Sequence, residues 1–181
     1  MSARSPEPEH DPREGAPLQF ELQGRAWRAT DPAIPDALRS ELVHELMDAR
    51  RAIAAAHRTD DGDAEARARV RVGDAKQALG ERGVPWWDAV EPEQLRERLA
   101  ATICALLRHR AATSTICPSD AARACGGVSW RDLMSVARDV AFELQARGVV
   151  EVRRSGARVE GPEDGTGPLR IARGEQLEAA P

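Results

Sequence analysis

TICPSDAARACGGVSWRDLMSVARDVAFELQARGVVEVRRSG, residues 115–156, carries the punctuation that decides the fold of this chain. Thr115, Ile116 and Cys117 form a short extended piece. Pro118 and Asp120 suit a helical first turn, where a missing N–H costs nothing and a carboxylate complements the helix dipole. Gly126-Gly127 stops that short helix. Ser129 is a good N-cap residue. Behind it Trp130, Leu133, Val136, Ala137, Val140, Ala141 and Leu144 recur at helical spacing, which predicts a helix over 130–146 with these residues, Trp130 included, on its buried face. Gly148 ends that helix, residues 149–154 alternate as a strand, Ser155-Gly156 turns, and 157–160 returns.

Upstream, Pro92 opens a helix whose Leu95, Leu99, Ile103, Leu106 and Leu107 share a face, ending at the basic Arg108-His109-Arg110. Downstream, residues 168–172 read as a further strand. Helix, short extended piece, short helix, longer helix and two-stranded ribbon is the order of a winged helix-turn-helix, expected over residues 90–173.

Residues 17–89 read differently. Leu18, Phe20 and Leu22 alternate with polar residues, Gln23-Gly24 turns, and 25–30 returns, predicting a β-hairpin. From Pro35 and Asp36, the apolar residues Leu38, Leu42, Val43, Leu46, Met47 and Ile53 recur at helical spacing to about His57. Asp63 is the expected N-cap of a second helix, with Ala68, Val72, Ala75 and Leu79 as its seam and Gly80 as its stop. Two helices with a short polar link should pack as an antiparallel helical hairpin. The expected fold class is therefore mainly α with small β: a C-terminal winged helix-turn-helix preceded by a β-hairpin and an antiparallel helical hairpin. Residues 1–16 and 174–181, which lack a partner pattern, are expected to be disordered tails.

Composition narrows the function classes. Among 181 residues, 26 Lys+Arg stand against 30 Asp+Glu, a net charge of -4. Ala numbers 32 and Leu, Ile, Val and Phe together 33, so closely packed helices and a modest core are expected. No apolar run reaches the ~18 residues of a membrane span, and the polar start lacks the apolar core of a signal peptide. Three cysteines without an export signal are expected to be free thiols in a cytoplasmic protein.

Several stretches also carry a resemblance. TICPSDAAR (115–123), WRDLM (130–134), VARDVA (136–141), residues 148–156 and GPLR (167–170) resemble an uncharacterised family of small bacterial domains of unknown function, over about residues 92–172. Members of that family are regarded as winged-helix-like, so the resemblance implies the same fold here. RAWRATDP (25–32), ELVHELMDARR (41–51) and LGERGVPWW (79–87) are similar to short actinobacterial proteins whose names mention a Tol-type biopolymer transporter. The present chain has neither a membrane span nor the repeated strand blocks of a propeller. Neither resemblance implies an activity or catalytic residues.

In a DNA-bound winged helix the longer helix enters the major groove and the ribbon meets the backbone. Ser129, Arg131, Ser135 and Arg138 are then the candidate groove residues, and Arg153, Arg154 and Arg158 the candidate phosphate contacts. Asp132 and Asp139, beside that face, would repel phosphate, and residues 90–173 hold 13 Arg against 11 acidic residues, a net of only +2. The expected function is accordingly a regulatory protein associated with double-stranded DNA. The alternative is a protein–protein interaction module without nucleic acid, docking a partner or a second copy through the helical hairpin. Its candidate anchors are Trp86 and Trp87, with the expectation that one ring plugs the helical hairpin and the other is half exposed. Glu41, Glu45, Asp48 and Arg51 are expected on a solvated surface.

Catalysis finds no footing. Cys104, Cys117 and Cys125 and the histidines lack metal-ligand spacing, and no nucleophile elbow or phosphate-binding glycine loop is present. No cofactor and no enzymatic activity are expected. Cys117, at a helix start, is weighed as a redox thiol against a small core residue, and the core residue is preferred.

Overall fold

The computed structural model describes residues 11–179 of the chain. Residues 1–10 and 180–181, the outer parts of the two expected tails, lie outside the described residues. The described residues are mainly helical and form two small antiparallel sheets.

β1 (Gln19–Leu22) and β2 (Arg25–Arg28) pair antiparallel with Phe20 opposite Trp27. Gln23 and Gly24 both take positive φ, 52° and 73°, the turn geometry whose twist matches the two strands. α1 (Asp36–Thr59) and α2 (Gly62–Ala78) follow. Glu45 meets Arg71 and His57 meets Glu65, so the two helices run antiparallel. The N-cap of α2 is Asp61, whose carboxylate accepts from the Ala64 N–H at 2.9 Å, and not Asp63 as expected. Asp60 adopts a left-handed conformation that ends α1, and this tight reversal brings Asp61 into the cap position.

α3 (Pro92–His109) is the central element. Residues 101–108 are all buried, because α1 and α2 cover one side while α4 (Pro118–Gly126) and α5 (Met134–Ala146) cover another. A single apolar core runs from Ile34 and Leu42 through Leu99 and Ile103 to Val140, Ile171 and Leu177. The loop near residue 89 therefore joins two parts of one core.

The helix expected over 130–146 is split. A 3₁₀ segment, Gly127–Leu133, precedes α5, and Ser129 lies inside it, exposed, and does not cap α5. Gly126 permits this tight turn: a Cβ there would sit 2.8 Å from Leu133 Cδ1. Trp130 is accordingly displaced from the core to its margin, half-buried. β3 (Val150–Arg154), β4 (Ala157–Arg158) and β5 (Leu169–Arg173) form an antiparallel sheet in the order β4-β3-β5, and Ile116 bridges to Ile171 at the outer edge of β5. Gln145 of α5 is buried beneath this sheet: its amide accepts from the Val152 N–H at 2.6 Å and donates to the Val159 carbonyl at 2.8 Å.

The described parts of both expected tails have partners. Arg13 donates to both oxygens of Asp31, at 2.9 and 2.6 Å. Leu177 is buried in the core, and its carbonyl accepts from Arg108. An apolar count over so short a segment misses single anchors of this kind.

Candidate functional site

The candidate groove residues Ser129, Arg131, Ser135 and Arg138 are all exposed, the first two on the 3₁₀ segment and the others on α5. The Arg131 guanidinium lies 4.6 Å from the Trp130 ring centroid, and Arg123 of α4 lies 4.4 Å from the same ring. None of Arg123, Arg131 and Arg138 is ion-paired among the described residues. Asp132 and Asp139 are also exposed. Asp139 lies within the electrostatic reach of Arg96 on α3, which is bonded to Glu143. Exposed arginines and exposed carboxylates thus alternate along this stretch.

The ribbon arginines are engaged locally. Arg153 makes a two-point contact with Glu151, at 2.8 and 3.1 Å, and Arg158 does the same with Glu160, at 2.8 and 3.4 Å. Residues two apart in an extended chain share a face, so each arginine finds the carboxylate next to it. Arg154 turns to the Gly165 and Pro162 carbonyls of the following loop. The expected row of free phosphate contacts on the ribbon is thereby replaced by neutralised pairs and a loop brace.

Trp86 and Trp87 divide the two roles between them. Trp86 is buried, donates its indole N–H to the Ala29 carbonyl at 2.9 Å, and packs over Gly80 at the end of α2. Gly80 takes φ 76°, a conformation that favours glycine, and a Cβ there would lie tightly against Trp86 and Asp31, at 3.1 and 3.2 Å. Trp86 is therefore corrected from partner anchor to structural plug. Trp87 stands edge-on to it at 4.9 Å, half-buried, with Arg28 near its ring.

The helical hairpin does not present the expected docking face either. Its apolar stripe is consumed by α3, and among the described residues Val43 is the exposed large apolar residue of the pair. Glu45, expected on a solvated surface, is buried and held by Arg71 at 2.7 and 3.0 Å. Glu41 instead reaches Arg110. Val90 and Val128 are also exposed singly, and among the described residues the exposed large apolar side chains cluster on the β-hairpin. Leu18, Phe20 and Leu22 are 45%, 52% and 56% exposed and project from one face of the ribbon, as residues two apart must. Phe20, Leu22, Trp27 and Arg28 of the ribbon line a cleft of about 280 Å³ together with Val43, Leu46, Met47 and Arg50 of α1 and with Glu81.

Reactive groups are structural. Burial pushes the Cys104 thiol up to about 12 and raises that of Cys125 as well, which leaves both as protonated, unreactive thiols. Cys117 is partly buried, and its backbone N–H donates to Asp120 at 3.2 Å. Among the described residues no group of three His, Cys, Asp or Glu side chains is placed to share a metal ion, and no helix is long and apolar enough to cross a membrane. The hub missed by sequence reading is Asp31, fully buried, which receives Arg13 and, at 2.9 Å, Arg98 of α3. Burial alone would raise its pKa. The hydrogen bond from Arg13 and the charges of Arg98 and Arg13 outweigh that and hold the carboxyl below its usual range.

No curated protein matches the chain. Residues 96–174, from the second turn of α3 through Gly174, match the model of a family described as a protein of unknown function (DUF3253).

Proposed function

We propose that this protein is an interaction module, with a winged-helix-type C-terminal half as rigid support and the apolar face of the β1–β2 ribbon as its contact surface. The observation that carries the reading is the exposure of Leu18, Phe20 and Leu22 on one side of a two-stranded ribbon. Contiguous exposed apolar patches mark interaction sites, and aromatic residues in such patches supply much of the binding energy. The order of elements from α3 through β5, with Ile116 bridging to β5, supports the winged-helix assignment. The paired ribbon arginines and the exposed Asp132 and Asp139 weigh against a nucleic-acid surface, which usually presents a continuous basic face. The test compares affinity capture by the wild-type protein with capture by Phe20→Lys and by Arg131→Ala. Association that is lost with Phe20→Lys and kept with Arg131→Ala supports the reading; association indifferent to Phe20→Lys overturns it.

A second reading, DNA contact, is favoured by one observation: Arg123, Arg131 and Arg138 are exposed without carboxylate partners. Three phosphate contacts would give a slope of log K against log salt of about −2.7. Fluorescence anisotropy on mixed-sequence duplexes at low salt tests it, and absence of binding at micromolar protein ends it.

A further inference from the structure

We propose that the partner of the β1–β2 ribbon is a second copy of this chain. The two β1 strands pair antiparallel about a two-fold axis through Phe20, giving a four-stranded sheet in the order β2-β1-β1-β2 with one continuous apolar face. The proposal rests on the interaction reading above and assigns the second copy to the β1 edge that borders that face.

Backbone hydrogen bonding decides which edge is open among the described residues. The Ala29 N–H donates to the Leu18 carbonyl, and in a two-residue hairpin the flanking residues, here Leu22 and Arg25, form a mutually bonded pair. Leu18, Phe20 and Leu22 therefore turn their backbone groups toward β2, while Gln19 and Glu21 turn theirs outward. β2 is tied to the body, since Arg28 donates to the Gly83 carbonyl and the Ala29 carbonyl accepts from Trp86. All four residues of β1 are exposed. The strand carries no proline, lysine or bulge of the kind that shields a free edge, and Glu21 is its one charged residue. A lone two-stranded ribbon is marginal in water, and additional strands stabilise it.

The side chains choose the partner and the register. A two-fold axis through Phe20 sets Phe20 opposite its own copy, Leu18 opposite Leu22, and Gln19 opposite Glu21. Every apolar residue then meets an apolar residue, and each carboxylate meets an amide. An axis through Glu21 would place two carboxylates face to face, which is destabilising. An axis through Gln19 would leave Leu22 opposite Ala16 and strand most of its apolar surface. The outward backbone groups of Gln19 and Glu21 are also the ones that a Phe20-centred register pairs. The patch is self-complementary, as an isologous interface requires. It is small beside the roughly 800 Å² per partner of a standard interface, so the dimer is a weak, reversible one.

Sedimentation equilibrium on the full chain, from about 5 to about 500 µM, tests the proposal in the concentration range of a weak interface. The expected result is a mass rising toward two copies. Glu21→Pro removes an outward N–H without touching the bonds inside the hairpin, and Phe20→Lys removes the central contact; each should weaken association at least tenfold, while Arg131→Ala leaves it unchanged. In a Cys117→Ser background, Phe20→Cys should form an intermolecular disulfide under mild oxidation, because directly opposed residues stand close, and Glu21→Cys should not. Circular dichroism of each variant confirms that it is folded, and the cross-link reports the register without weakening the fold. A monomer at every concentration overturns the proposal, as does a dimer indifferent to Glu21→Pro and Phe20→Lys, or cross-linking through Glu21→Cys in place of Phe20→Cys. A monomer that still captures another protein through Phe20 overturns this inference and leaves the interaction reading standing; a monomer that captures nothing overturns both.

Discussion

Asp31 sits where the N-terminal segment, the end of α2, α3 and α4 converge: Arg13 and Arg98, which bind it, also donate to the Cys125, Ala78 and Ala124 carbonyls. A buried carboxylate between two guanidinium groups is poor evidence of stabilisation by itself, yet removing it leaves uncompensated charge. Asp31→Asn is expected to cost about 3–5 kcal/mol in urea unfolding. The pH dependence follows from the direction of the shift. With its folded pKa held below the unfolded value of about 3.9, Asp31 contributes stability that is present above that value and is lost as pH falls through the lower folded one. Asp31→Asn should therefore flatten the acid limb of a stability–pH profile while lowering the plateau above it; an unchanged acid limb would contradict the assignment. Nothing in the sequence marks this residue. Thr30-Asp31-Pro32 reads as a break in the hairpin, and its partners stand 18 and 67 positions away.

At the scale of single elements, local spacing was informative and caps were not. Helical periodicity placed α1, α2 and α3 to within a few residues, because an apolar stripe repeats wherever a helix lies on a core. Caps depend on the conformation of one or two residues. Asp61→Ala is expected to cost about 1 kcal/mol, as the loss of an N-cap does, whereas Asp63→Ala should cost only a few tenths; equal effects in denaturant titrations would contradict the cap assignment. Gln145 lies on the buried side of α5 and reads from sequence only as an interruption of the apolar pattern. Its two bonds satisfy the Val152 N–H and the Val159 carbonyl. Gln145→Ala leaves both buried backbone groups without a partner, at about 1–3 kcal/mol each, and should loosen the sheet: hydrogen exchange at Val152 should accelerate well beyond that of core amides in α3. The paired ribbon arginines were legible in principle, since Glu151 and Arg153, like Arg158 and Glu160, are two apart on an extended chain.

Across the whole molecule, α3 makes the two halves one body. Ile103, Leu106 and Leu107 belong to the same core as Leu42 of α1 and Val140 of α5. Unfolding should accordingly be a single cooperative transition. Tryptophan fluorescence reports chiefly the N-terminal half, through Trp27, Trp86 and Trp87, and circular dichroism reports all the helices; their denaturant midpoints should coincide. Two separated transitions would show that the boundary read near residue 89 divides independent folding units.

The amino-acid sequence by itself determined the order of the elements and, apart from the 3₁₀ segment ahead of α5, their kind, because apolar period, proline, glycine and turn residues act over a few neighbouring positions. It also placed Leu18, Phe20 and Leu22 on one face of a ribbon. The tertiary structure alone decided which faces stay wet. The helical hairpin lost its apolar stripe to α3, Trp86 and not Trp87 became the plug, Arg154 was taken up by the loop that follows the ribbon, and among the described residues no strand covers the outer edge of β1. Burial is the outcome of packing between segments far apart in the chain, and no local pattern of residues records which neighbour will arrive.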